Sequence, residues 1–291
     1  MKKSWRYRGA VAVFILPALL TFTGLIGYPV LQSLIKSFFN WNGVTEGKWV
    51  GISNYAKLFR TDTFYLANKN SLIFALVLVV YQICFGLLLA LLLISIKTRF
   101  SGFFRFTYFL PVVVSSTVIC QMWVSLFNYD YGLFNQIFET LGISYRQAWL
   151  TSKNTAIFAV AFVNAWQFMG IEFIMFYTAI SGISQDLYEA ARIDGASTVQ
   201  MHRRITIPLL RETFRFCLIL AITGGLKAFD TMYIMTGGGP GDYTTSLTYM
   251  MYKSAFTSNK FGYGSAIATV IVLECLACTV LINRLFRTKE E

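Results

Sequence analysis

Six apolar runs, each close to the length needed to cross a bilayer, restrict this sequence more than any motif in it. A helix needs roughly 20 mostly apolar residues to cross the hydrocarbon core, where every backbone N–H and C=O must be satisfied within the segment. Runs that meet this demand cover 10–31, 71–96, 106–127, 156–180, 209–235 and 266–286. With 56% hydrophobic and 13% charged residues, a chain of 291 residues has too little polar surface for a soluble globule. The expected fold is an all-α polytopic membrane protein with six transmembrane helices, built as a single domain over 1–291.

The net charge of +11 does not indicate nucleic acid, because the basic residues flank apolar runs and carry no interleaved stacking aromatics. Lipid headgroups and topology account for them. With the N-terminus inside, fifteen Lys and Arg fall in inner segments and nine in outer ones, five of the nine diluted along the first outer loop. Short inner loops carry the positive excess, so both termini are expected in the cytoplasm. The basic stretch 1–8 precedes an apolar run too long for a signal peptide and without a convincing cleavage site, so a retained first span is expected. Trp41, Tyr108, Trp123, Tyr131 and Trp149 at span ends suit interfacial anchoring. The cysteines Cys84, Cys120, Cys217, Cys275 and Cys278 lie in apolar surroundings without further ligands, and read as small core hydrophobes.

Between the fourth and fifth runs, 184–208 reads SQDLYEAARIDGASTVQMHRRITIP. Asp186 followed by Glu189 has the form of a capping box, so a helix should begin there. Gly195 after Asp194 supplies a left-handed stop, Ser197 can cap a second short helix, and Pro208 fits the first turn of the fifth span. Ala190 and Ala191 leave a low ledge for another backbone. Leu187, Tyr188 and Ile193 are an apolar anchor, and Glu189, Arg192, Asp194, Arg203 and Arg204 offer charged contacts. Such a knob suits docking into a groove on a soluble partner. An ordinary amphipathic helix lying on lipid would not need that ledge or the broken two-helix form.

Glu189, Ala190, Ala191, Gly195, Ile205 and Pro208, at this spacing, resemble the EAA motif of ABC importer permeases, with Ile207 where leucine is usual. The resemblance extends along the chain. Phe39, Trp41, Asn42, Gly43, Val50, Gly51, Asn54, Tyr55 and Leu58 look like the outer loop of sugar permeases of the maltose and glycerol-phosphate type. Phe109, Leu110, Pro111, then Gly132, Leu133, Asn135, then 236–240 are similar to later family segments, those of the first permease subunit of a heterodimer. The resemblance implies a type I ABC importer transmembrane domain whose loop is the coupling helix, with Glu189, Ala190, Ala191, Arg192, Asp194, Gly195 and Arg203 contacting an ATPase. It also implies the partners: a second homologous permease, two copies of a cytoplasmic ATPase and an extracellular substrate-binding protein, in a bacterial cytoplasmic membrane.

The chain has no G-x-x-x-x-G-K-[ST] phosphate loop, so no cofactor is expected on it and ATP is left to the partner subunits. The glycines of 237–241 read as a tight outer turn near the binding-protein surface. Charged residues within spans are costly and mark functional candidates; here they are Glu172, Lys227, Asp230 and Glu274. Lys227 and Asp230, three apart, could pair on one helical face. A sugar path needs aromatic faces and hydrogen-bonding groups, which Asn164, Trp166, Gln167, Lys227, Asp230 and Tyr233 could supply, although interhelical hydrogen bonding explains each equally well. Gly224 and Gly225 suit either a bend or close packing. Two rivals remain. An ion-driven secondary transporter leaves the 184–208 loop without a role, and a membrane enzyme would need a nucleophile and base pair that the lone His202 does not provide.

Overall fold

The computed structural model describes residues 13–96 and 100–287. Lys2, Lys3, Arg6, Arg8, Lys97, Arg99 and Lys289, which enter the orientation count, lie outside the described residues, as does the start of the first apolar run. The chain forms two compact units, 1–61 with 250–270 and 62–249 with 271–291.

In the first unit, helix α1 (Val13–Lys36) passes through a π-turn at Thr23–Gly27 and leaves its apolar side chains uncovered. Two short strands follow, β1 (Phe39–Asn40) and β2 (Lys48–Trp49), antiparallel with Phe39 opposite Trp49. The turn between them is closed by Asn42, whose Oδ1 accepts the backbone N–H groups of Val44 and Thr45, as short polar side chains do in turns. Helix α2 (Ser53–Leu58) is tied to the hairpin by Asn54, whose Nδ2 donates to the carbonyls of Ser37 and Phe39 at 2.8 and 2.9 Å. The Lys36 ammonium sits 4.7 Å from the Trp41 ring centroid and 5.4 Å from that of Phe39, a cation over aromatic faces. An all-helical reading did not anticipate this hairpin.

The second unit is helical. Its elements are α3 (Asp62–Ile96), α4 (Ser101–Val113), α5 (Ser116–Leu126), α6 (Leu133–Thr140), α7 (Ala156–Ser181) and α8 (Gln185–Ile193). Next come α9 (Thr198–Met201, continuing through a π-turn at His202–Thr206 into Ile207–Leu209), α10 (Arg211–Leu226) and α11 (Asp230–Met235). The remaining helices, α12 (Leu247–Tyr252) and α13 (Phe261–Leu285), each run across the division between the units.

Helix α7 is the hub, packing along α3 and against α4, while α10 packs on α3. Phe74 and Leu78 of α3 and Val160, Phe173 and Phe176 of α7 are fully buried. Small residues set the closest approaches. A Cβ on Gly225 would lie 2.5 Å from the Ala75 Cα, and one on Gly170 would overlap the Tyr108 carbonyl oxygen. Helix association in lipid depends on such close backbone contact, so Gly225 serves packing.

Among the described residues four helices, α1, α3, α7 and α13, are long and apolar enough to cross a bilayer; α4 with α5 makes a fifth if that pair counts as one span. The expected helix over 106–127 is bent by 94°, because the backbone is extended at Val114 and Ser115. Gln167 fills the gap in the ladder there, its Nε2 donating to the Val114 carbonyl and the Ser116 hydroxyl. The bend also corrects the reading of Trp123 as an interfacial anchor: α5 turns it into the core, where it is 7% exposed. The expected helix over 209–235 is likewise broken. Leu210 interrupts it before α10, and Lys227 to Phe229 leave helical geometry before α11. At 16 residues α10 is about 24 Å long, short of the ~30 Å of hydrocarbon. That break also removes the shared helical face on which Lys227 and Asp230 were expected to pair, and no ion pair joins them among the described residues.

Candidate functional site

Two regions of the second unit carry the predicted site residues. The first is the loop after α7. Ser184 is the N-cap of α8 and accepts the Asp186 N–H, so the expected capping box between Asp186 and Glu189 is replaced by a serine cap two residues earlier. The stop follows the sequence reading. Gly195 has φ +78°, its N–H donates to the Arg192 carbonyl, and the Ala196 N–H donates to the Ala191 carbonyl. These are the paired bonds of a Schellman closure, which needs a residue in the left-handed region. Ser197 then opens α9 with a full capping box, exchanging bonds with Gln200.

The loop therefore consists of two short helices around a glycine corner, with a defined inner and outer side. Tyr188 faces inward; its hydroxyl lies 2.9 Å from the Thr206 Oγ1, and the His202 Nδ1 lies 3.2 Å from that same oxygen. Thr206 is fully buried. Leu187 and Ile193 stay uncovered at 47% and 87% exposure. The expected apolar anchor is thus divided, with Tyr188 holding the loop to its own chain and the two aliphatic residues left free. Glu189, Ala190, Asp194 and Arg203 are exposed and Ala191 is half-buried. Arg192 is exposed and lines, with Tyr188 and His202, a cavity of about 610 Å³ behind the loop.

The second region is a cavity of about 390 Å³ between α3, α7 and the broken α10 and α11 segments. Asn164, Lys227 and Asp230 line it, as expected of path residues. The Asn164 Nδ2 also donates to the Thr231 hydroxyl at 2.8 Å, fixing α11 against α7. The other three candidates are not among its lining residues. Gln167 is engaged by the α4–α5 bend, Trp166 packs edge-on against Trp123 at 5.5 Å, and Tyr233 stacks on Phe229 at 5.1 Å.

Gln82, Ser116 and Thr231 line this cavity without having been chosen from sequence, and Glu172, marked from sequence as an intramembrane charge, lines it too. Gln82 was detectable as a polar residue within an apolar run. Ser116 and Thr231 become neighbours of the cavity only through the helix breaks. Glu172 is 3% exposed, and its Oε2 has no hydrogen-bond partner among the described residues. The fourth intramembrane charge, Glu274, accepts a bond from the Asn68 Nδ2 at 2.6 Å and so joins α13 to α3.

The glycine-rich segment after α11 is a compact turn, with positive φ at Gly237, Gly238 and Gly241. The Thr244 hydroxyl donates to the Gly239 carbonyl and lies 2.7 Å from that of Thr236. Asn70 of α3 reaches over to donate to the carbonyls of Asp242 and Thr245. The turn is thereby pinned to the helical body.

Residues 82–290 match the model of the family described as binding-protein-dependent transport system inner membrane component. The chain is 37% identical over 282 residues to a probable ABC transporter permease protein, YurN, of Bacillus subtilis, covering 96% of both chains. It is 35% identical over 248 residues to the multiple sugar-binding transport system permease protein MsmF of Streptococcus mutans, covering 84% of each. The fold is similar to that of a chain in the crystal structure of a bacterial ABC transporter involved in the import of the acidic polysaccharide alginate, with a TM-score of 0.85, 99% coverage of both chains and 20% identity.

Proposed function

The chain belongs to the family of inner membrane components of binding-protein-dependent transport systems, and on that premise we propose that it is the sugar-translocating permease of an ATP-driven importer. The observation that carries this reading is the two-helix loop 184–208. Its inner side is bonded to the chain through Tyr188, while Leu187, Glu189, Ala190 and Ile193 face outward uncovered. That arrangement fits a rigid knob seated in an ATPase groove, with Glu189, Ala190, Ala191, Arg192, Asp194, Gly195 and Arg203 as its coupling residues. The chain itself has no phosphate loop and needs no cofactor; ATP is bound and hydrolysed by two partner subunits. A second homologous permease completes the pore, and an extracellular binding protein delivers the substrate.

In this reading 1–291 form one transmembrane domain crossing the bacterial cytoplasmic membrane six times, with both termini in the cytoplasm. α4 with α5 is one bent crossing, and α10 with α11 is another. The 390 Å³ cavity is a segment of the substrate path, where Asn164, Lys227 and Asp230 with Gln82 and Glu172 offer donors and acceptors to hydroxyl groups. Gln167 bonds Ser116 and Tyr233 stacks on Phe229, both residues of that wall, while Trp166 packs on Trp123. Closure of the ATPase dimer moves the knob and opens the path outward, and hydrolysis returns it inward, which is alternating access between two states.

The name of MsmF, a permease of a sugar-binding system, favours a carbohydrate as cargo. The test is uptake of labelled mono- and oligosaccharides by vesicles containing the assembled transporter and its binding protein, at fixed ion gradients. Uptake that starts only when ATP is supplied on the ATPase side supports the proposal. Uptake driven by an ion gradient alone would establish a secondary transporter in its place.

A further inference from the structure

The cavity of about 610 Å³ behind the two-helix loop shares no lining residue with the polar cavity of the substrate path. Gln185, Tyr188 and Arg192, spaced i, i+3 and i+7, form the face of α8 that lines it, and Ser181, Thr198 and His202 add polar groups from α7 and α9. Among the described residues, the side chains of Ser181, Gln185, Arg192 and Thr198 have no hydrogen-bond or ion-pair partner. The carboxylates of the loop, Asp186, Glu189 and Asp194, are not among the wall residues. A second guanidinium is close by: Arg105 lies 5.2 Å from the ring centroid of Tyr177, and its Nε donates to the Ser101 carbonyl, both residues belonging to the wall.

The wall thus gathers donors and positive charge with no carboxylate to balance them. Guanidinium groups hold phosphate through paired, charge-assisted N–H bonds, and side-chain amides and hydroxyls supply further donors. A neutral sugar would leave the charge unmatched. Depth points the same way. Ser95 stands one residue before the end of α3 and Ser181 is the last residue of α7. The ends of spanning helices lie at headgroup level, where basic pockets between helices take anionic headgroups. We propose that this cavity binds a phosphate group, with the Arg192 guanidinium as its main contact and Gln185 and Thr198 as further donors. The headgroup of an anionic glycerolipid and a soluble phosphate ester present the same chemistry here. Bound there, the group braces the inner face of α8 against the ends of α3 and α7, on the side of the helix opposite Leu187 and Ala190. The inference needs α3 and α7 to cross a bilayer; it depends neither on a carbohydrate cargo nor on ATP, so its failure would leave the proposed function standing.

The test uses the whole transporter complex, purified in detergent and stripped of phospholipid, titrated with dioctanoyl phosphatidylglycerol and separately with inorganic phosphate. Dioctanoylglycerol, which has the same chains and no phosphate, is the control. Native mass spectrometry counts bound lipid and calorimetry reads phosphate, each taken as the difference between the wild type and Arg192→Met, which cancels sites on the other subunits. The wild type should bind the phosphate probe at least about ten-fold more tightly than Arg192→Met, the value of a hydrogen bond to a charged group, and dioctanoylglycerol equally. A difference seen with the lipid alone assigns the site to a headgroup, and one seen also with inorganic phosphate assigns it to a soluble phosphate ester. Gln185→Leu, which removes a second donor from the same wall, should weaken binding about ten-fold and carries the test should Arg192→Met not assemble. Arg204→Met, an exposed cation outside the wall, should bind as the wild type does. Equal affinity of wild type, Arg192→Met and Gln185→Leu for both phosphate probes would overturn the assignment. So would a loss in Arg204→Met as large as in Arg192→Met, which would reduce the effect to general surface charge.

Discussion

The Tyr188 hydroxyl and the Thr206 Oγ1 lie 2.9 Å apart, joining α8 to the π-turn that leads into α10 across the glycine corner at Gly195. Thr206 is fully buried, so in the proposed function this part-buried bond carries a push on α8 to the start of the next membrane segment. Tyr188→Phe keeps the ring and removes the bond. We expect ATP hydrolysis by the complex to persist while sugar moved per ATP falls about five-fold, the equivalent of one hydrogen bond. Simultaneous uptake and phosphate-release assays on proteoliposomes give that ratio.

Gly195 holds φ +78° with open space around it, so a substitution there is opposed by conformation alone. Gly195→Ala should cost about 1 kcal/mol and leave partial uptake. Gly195→Pro also forfeits the N–H that reaches Arg192 and should abolish uptake, with the protein still inserted in membranes by immunoblot. Equal activity of the two variants would mean that the corner is not used.

In the polar cavity, Asn164 has two roles, lining the space and donating to Thr231. Asn164→Ala should raise the substrate concentration for half-maximal uptake several-fold, since it removes a hydrogen-bonding group from the path and loosens α11. Glu172→Gln, which retains shape and hydrogen bonding, should affect neutral sugars little. Glu172→Leu should weaken their transport. Saturation curves for labelled sugar separate the three variants.

Gly170 packs so closely on the Tyr108 carbonyl that a methyl group would overlap it. Gly170→Ala should therefore push α4 from α7 and destabilise the protein by about 1–3 kcal/mol, as overpacking does. Gly24→Ala, in open surroundings on α1, serves as its control. Thermal unfolding followed by fluorescence-detected size exclusion compares them.

Much of this architecture is legible in the residues. The runs at 71–96 and 156–180 each fall within an observed helix, the run at 266–286 does so up to Leu285, and the corner at Gly195 and the cap at Ser197 stand where their chemistry puts them. Hydropathy does not record where a span breaks. The bend at Val114 and Ser115 and the break from Lys227 to Phe229 occur within stretches apolar enough overall to read as unbroken spans, and in each case a distant side chain, Gln167 or Asn164, ties the interrupted segment to α7. For the same reason only Asn164, Lys227 and Asp230 of the six path candidates reach the cavity. Sequence spacing places a polar residue within a span, but its side of the helix depends on those breaks. The hairpin at Phe39 and Trp49 was hidden by its length, two residues per strand.

The central claim is that the knob around Glu189 transmits work from a separate ATPase. Its most direct measurement is ATP-driven uptake and ATP hydrolysis in the same reconstituted complex carrying Glu189→Lys, which reverses a charge on the exposed face of α8 without touching the Tyr188 bond. The account predicts an inserted protein whose uptake is lost and whose remaining hydrolysis no longer responds to the loaded binding protein. Uptake at the wild-type rate, or transport by a complex stripped of its ATPase subunits, would contradict it.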